Sequence, residues 1–155
     1  MYRKILATLD GSKLSECVLP HIEAFRKGFP ECEVVLLRVV EPVYDTAPAH
    51  AQAISPEQWK SRENAMRSAA EDYLKDVMAQ LGHQGSPIRS EVIIGRVEDQ
   101  IVEYAEEKNI DLIIIATHGR SGITRWVRGS VADRVLRSAQ IPVLMVRAPG
   151  TKEGE

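Results

Sequence analysis

Cysteine is nearly absent from this chain: Cys17 and Cys32 are the only two among 155 residues, in no CxxC pair and beside no histidine cluster. A disulfide scaffold is thereby excluded, redox chemistry has no motif to rest on, and both residues are expected to be buried free thiols. Aromatic residues make up 5% of the chain, and no apolar run approaches the roughly 18 residues of a membrane span. The apolar stretch at residues 5–9 is stopped by Asp10, too soon for the core of a signal peptide, so a cytoplasmic address is expected. Net charge is lacking too. Twenty Lys plus Arg against 22 Asp plus Glu leave −2, so the whole molecule exerts no pull on nucleic acid or an anionic membrane, and any anion site must be local.

What is present is ordinary for one globular domain: 44% hydrophobic and 27% charged residues, with 10 Gly and 8 Pro. At this length roughly two-thirds of the surface exposed by the unfolded chain can be buried, so a core needs neither disulfide nor structural metal. No internal repeat or low-complexity tract interrupts it.

Short apolar runs alternate with helical periods. Residues 3–9 (RKILATL), bounded by Asp10-Gly11-Ser12, read as a buried strand followed by helix-start residues. Leu14, Val18, Leu19, Ile22 and Phe25 then recur at helical spacing up to Gly28, with Pro20 imposing a kink or a late start. Residues 33–40 (EVVLLRVV) are apolar enough for a strand covered on both faces. Residues 41–54 carry Pro42 and Pro48 without a sustained period and form a long connection. Ser55-Pro56-Glu57-Gln58 combines an N-cap serine, a first-turn proline and a capping-box Gln, opening the longest helix, whose stripe is Trp59, Met66, Ala70, Tyr73, Val77 and Leu81, ending at Gly82. Residues 89–94 give a third strand, 97–108 a helix, 111–117 (DLIIIAT) the most apolar strand, 130–139 a short helix, and 142–147 (PVLMVR) a last strand. This order predicts an α/β fold: a single-domain, open, five-stranded parallel sheet with helices on both faces. Such sheets take ligands at the carboxyl ends of their strands, where the strand order reverses. Residues 8–12 and 116–119 are therefore the places to look.

Between Thr117 and Arg137 stand five arginines (120, 125, 128, 134 and 137) and a single acid, Asp133. The same segment holds Gly119, Gly122 and Gly129-Ser130, the last pair directly ahead of a helix whose free N–H groups and dipole favour an anion. Glycines admit phosphate oxygens close to backbone amides, and the serine hydroxyl adds a donor. Taken singly, these are turn glycines, an N-cap and solvated arginines. Taken together at the end of the most apolar strand they outline a polyphosphate pocket. There is no GxxxxGK[ST], no GxGxxG after the first strand and no GxSxG, so Walker-type, dinucleotide and hydrolase-elbow sites are disfavoured. Asp10 reads either as a site residue or as an N-cap, with Ser12 and Ser15 as rival caps. His118 reads as a solvated loop residue, Trp126 and Val127 as a hydrophobic anchor, and His21, His50 and His83 have no ligand spacing.

The runs KILATLDGS, VVLLRVVEP, ATHGRSGITRWVRGSVADRVL and IPVLMVR closely resemble the universal stress protein family, across essentially the whole chain. The resemblance implies a Rossmann-like fold of the adenine nucleotide alpha hydrolase type, with the domain at 1–147 and a polar tail at 148–155. It implies a ligand, ATP or else AMP or ADP, with Mg²⁺ an optional companion. The binding branch carries glycine, two residues, glycine, nine residues, then Gly-Ser or Gly-Thr. In this chain that pattern falls on Ala116, Gly119, Gly129 and Ser130, with Arg120 inside it. The departure is Ala116, where the branch usually has glycine; the extra methyl bears on the grade of affinity. By the same resemblance Asp10 lies beside the ribose or adenine, Thr8 and Leu9 line the pocket, Val39 contacts the base through its backbone, Ile115 packs nearby, and Val131 and Ala132 present amides. The last strand, at the sheet edge, would pair antiparallel with its copy through residues 143–146 to make a homodimer.

Three functions from different classes remain open on these residues: a dimeric stress-response or signalling module that binds an adenine nucleotide, a dimeric interaction protein with a non-functional pocket, and a slow ATPase. No catalytic or metal-ligating residue is assigned. No nucleic-acid or membrane partner is expected.

Overall fold

A computed structural model describes residues 2–42, 54–117 and 131–149. Within them run β1 (Lys4–Thr8), a 3₁₀ turn (Ser15–Val18), α1 (Leu19–Gly28), β2 (Glu33–Val40), α2 (Pro56–Leu81), β3 (Ile88–Ile94), α3 (Val97–Glu107), β4 (Leu112–Thr117), α4 (Val131–Ser138) and β5 (Val143–Arg147). The strands pair in the order β3-β2-β1-β4-β5, every neighbour parallel, which confirms the expected architecture. The order reverses between β1 and β4.

Strand alternation sorts the core into two layers. Ile5, Ala7, Val34, Leu36, Leu112 and Ile114 face α1 and α2, where they meet Val18, Ile22, Leu74, Val77 and Leu81. Leu6, Val35, Leu37, Ile113 and Ile115 face α3 and α4, against Ile101, Tyr104, Ala105, Ala132 and Val135. The central strands are thus apolar on both faces, as the unbroken runs of β1, β2 and β4 require.

Helix starts follow their local chemistry. Pro20 does delay the first helix: a 3₁₀ turn precedes it, and the proline occupies the first turn of α1, where a missing N–H costs little. Leu14 consequently stays outside that helix and 39% exposed, against its place in the apolar stripe. At α2 the capping box is complete: Gln58 N–H donates to Ser55 Oγ at 3.2 Å, and Ser55 N–H donates to Gln58 Oε1 at 2.9 Å. Only the second half of α2 is buried, through Ala70, Leu74, Val77 and Leu81, while Trp59, Met66 and Tyr73 are half-covered. The buried guanidinium of Arg26 closes the far end of α2, donating to the carbonyls of Leu81, Gly82 and Ser86 at 3.0, 3.2 and 3.0 Å. Cys32 is buried and Cys17 half-buried, both free. No helix among the described residues is long and apolar enough to cross a membrane.

Candidate functional site

The ends of β1 and β4 lie side by side at the reversal of strand order. Their register pairs Ala7 with Ile114, which sets Thr8 and Leu9 abreast of Ile115 and Ala116. Thr8, Leu9 and Ile115 are buried, so they form the floor of the rim rather than its surface. Leu9 N–H donates to Leu37 O at 3.0 Å, carrying the β1 to β2 pairing one residue past the strand. Asp10 then emerges exposed.

Asp10 is built into a turn. Its Oδ1 accepts the Ser12 N–H at 2.8 Å and its own N–H donates to Ser15 Oγ at 3.4 Å, while Ser15 Oγ donates to Ser12 O at 2.8 Å. The rival cap is Ser12, whose Oγ accepts the Ser15 N–H at 3.2 Å. Asp10 therefore bends the chain at the rim while Ser12 takes up the Ser15 N–H at the start of the 3₁₀ turn, and the two roles are divided.

Gly11 has φ +86°, and a Cβ there would fall 2.7 Å from Arg38 Cζ. Arg38 reaches this spot from β2 and lies over the Tyr73 ring of α2, 5.2 Å from its centroid. The Tyr73 hydroxyl donates to Glu16 Oε1 at 3.4 Å, and burial raises its pKa. Sequence reasoning passed over this wall. Its one signal was a lone arginine inside the apolar run EVVLLRVV.

Val39 is half-buried on the α3 and α4 side, beside the Val40 carbonyl that accepts Gly95 N–H at 3.0 Å. Val131 and Ala132 open α4, with Ala132 packed into the same layer. Ala116 packs on the opposite, α1 side, so its methyl points away from the face that carries α4. The Thr117 carbonyl accepts Ala148 N–H at 2.9 Å, extending the β4 to β5 pairing past Arg147. The structure thus brings Thr8, Leu9, Asp10, Ile115 and Ala116 together at one rim, with Val39 on the neighbouring strand. Gly119, Arg120, Gly129 and Ser130 lie outside the described residues, as do His118, Trp126, Val127 and most of residues 41–54.

A second cluster at this end of the sheet went unread in the sequence. Glu98, in the first turn of α3, is 8% exposed and accepts Arg96 Nε at 2.9 Å and an N–H of Arg134 from α4. Burial pushes its carboxyl up. The N–H at its own helix start and the Arg134 and Arg96 guanidinium groups outweigh that, and the pKa lies below the ordinary value. Among the described residues no three His, Cys, Asp or Glu side chains converge on a metal position.

The strand order defines a doubly wound α/β protein, a class whose ligands lie at the carboxyl ends of the strands where the order reverses. Within that class, the model of the universal stress protein family matches residues 1–147. The chain belongs to the universal stress protein family. It is 33% identical over 150 residues to universal stress protein MJ0531 of Methanocaldococcus jannaschii, covering 96% of this chain and 84% of that one. The solved structure of MJ0577, from the same organism, has a TM-score of 0.77 at 27% identity and covers 96% of this chain and 98% of its own. At lower identity the fold is shared by a universal stress protein in complex with cAMP (TM-score 0.64, 21% identity, 96% and 98% covered). It is shared also by an Arabidopsis thaliana family member with AMP bound (TM-score 0.61, 13% identity, 95% and 92% covered).

Proposed function

We propose that the protein binds an adenine nucleotide, with ATP the first candidate and AMP or ADP its relatives, at the carboxyl ends of β1 and β4. It acts there as a dimeric stress-response and signalling module of the cytoplasm. The observation that carries this reading is the meeting of residues 8–10 with residues 115 and 116 at the reversal of strand order, in a family with members solved around cAMP and AMP.

The residues divide the ligand between them. The Asp10 carboxylate accepts from ribose hydroxyls, and the main chain at Val39 reads an edge of the base. The first-turn N–H groups of α4 at Val131 and Ala132 meet the phosphates. Gly119, Arg120, Gly129 and Ser130 enter this reading through their sequence spacing alone. The packing of Ala116 toward α1 supports it, since a methyl on that side leaves the α4 face clear. The described residues offer no metal cage, so Mg²⁺ would arrive on the phosphate oxygens. Dimerisation is assigned to the outer edge of β5, the last strand in the sheet, where Met145 is an exposed apolar residue.

The test is calorimetric titration of ATP, with and without Mg²⁺, into the protein and into Gly129→Glu. Saturable binding in the parent, lost in the variant, is expected. No binding to either makes the chain an interaction protein with a lapsed pocket and overturns the proposal.

A further inference from the structure

The charged cluster around Glu98 joins the two halves of the ligand rim. Arg96 follows Gly95, whose N–H is held by the Val40 carbonyl, so it belongs to the β2 and β3 end where the base is assigned. Arg134 is the fourth residue of α4, whose first residues are assigned to the phosphates. Glu98 sits between them with its side chain 10% exposed, whereas those of Arg96 and Arg134 are 61% and 46% exposed. A carboxylate this buried is retained at a cost unless both charge and hydrogen bonding are answered, and here two guanidinium groups answer it.

Within α4 Ala132 and Val135 are buried, and Val131 packs against the same apolar layer. These side chains seat the helix against the sheet and α3 but are apolar and carry no directional bond. Arg134 supplies one, from α4 to Glu98 on α3, which is itself anchored through Ile101, Tyr104 and Ala105, and so sets the roll of α4 about its axis.

We infer that Glu98, through Arg134, is the positioning residue that aims the first turn of α4 at the phosphates of the bound nucleotide. This rests on the nucleotide reading above and adds a division of labour: Glu98 serves the phosphate part of the ligand and leaves the nucleoside part alone. Arg134 is committed to Glu98 and acts as a strut, not as a phosphate ligand.

The experiment compares affinities for ATP and for adenosine in the parent, Glu98→Gln, Arg134→Gln and the double variant, with melting temperatures alongside. Glu98→Gln is expected to weaken ATP about fivefold to tenfold while moving adenosine less than about twofold. Arg134→Gln should do the same, and the double variant should lose no more than either single one, as members of one unit do. A role confined to general stability would lower the melting temperature and leave the ratio of the two affinities intact, which overturns the inference. A gain in ATP affinity on Glu98→Gln also overturns it, since Arg134 would then be a phosphate ligand that Glu98 withholds. Arg134→Gln changes a half-exposed side chain, so it keeps the test open if Glu98→Gln fails to fold. A parent that binds ATP no more tightly than adenosine removes the phosphate reading itself, a result separate from an unchanged ratio in the variants.

Discussion

The guanidinium of Arg38 occupies the space that a side chain on Gly11 would need: an added Cβ would stand 2.7 Å from Arg38 Cζ. Gly11 also has φ +86°, where an L side chain is strained. The obstructing atoms are the mobile end of an arginine, so the backbone conformation is the larger of the two costs. Gly11→Ala should destabilise the fold by about 1–2 kcal/mol. It should also displace Arg38 from the Tyr73 ring and shift the turn that carries Asp10. Thermal denaturation of Gly11→Ala with and without Arg38→Ala checks the division. Removing Arg38 should restore only the smaller, steric part.

Arg26 answers three main-chain carbonyls from inside the core, at the join between α2 and β3. It is 2% exposed, so its loss leaves these acceptors without water. Arg26→Met keeps much of the stem and should cost about 3 kcal/mol, the penalty of orphaned acceptors minus that of a buried cation. Arg26→Lys should recover little, because one ammonium cannot span three carbonyls fixed by a planar fork. Urea denaturation reads this as a lowered midpoint at unchanged slope.

Asp111 ties the starts of β1 and β4, its Oδ2 accepting the N–H groups of Arg3 at 2.7 Å and Lys4 at 2.8 Å. Burial raises its pKa, but these N–H groups and the charge of Arg3 outweigh it and the pKa is lowered. The unfolded value is near about 3.9, so the stabilisation is complete above about pH 5 and is lost as the pH falls through the folded-state pKa. Asp111→Asn should cost about 1–2 kcal/mol at neutral pH. The difference from the parent should shrink toward zero in denaturation curves taken at progressively lower pH. A difference that stayed constant as the pH fell progressively below the unfolded value of about 3.9 would assign the loss to shape instead of charge.

Much of this architecture was legible because the chain states it locally. Residues 33–40 form β2 with the same bounds as the apolar run, since a strand covered on both faces has no polar alternation to blur its ends. Ser55 through Gln58 named a helix start down to its two reciprocal hydrogen bonds. The stripe along α2 was less well read. Periodicity marks a face but not how far the sheet beneath it extends, so Trp59 and Met66 were grouped with residues that are buried, and Leu74, which is buried, was passed over. At the rim, the positions of Thr8, Leu9, Asp10 and Ala116 followed from topology, while Ile115 entered through the family resemblance. Gly11 with Arg38, and Glu98 with Arg134, did not, because residues 27 and 36 positions apart meet only after two layers have been placed on the sheet. Such pairs carry no spacing rule.

The two sheet edges differ in a way that makes the dimer testable. On β3 the edge carries Arg89 and Glu91, which pair with each other, and Arg89 also holds Glu33 at 2.8 Å; charged side chains on an edge discourage strand addition. On β5 the sequence is VLMVR, and Met145 is exposed. Ala148 N–H points inward to Thr117 O, so by the parallel alternation the odd residues of β5, Met145 among them, direct their N–H groups outward. Met145→Pro therefore deletes one outward donor and places a ring on the outer edge, while the inward ladder to β4 keeps its bonds. Light scattering should show the parent as a dimer and Met145→Pro as a monomer at the same concentration, with the far-ultraviolet spectrum preserved. A variant that stays dimeric would move the interface off β5.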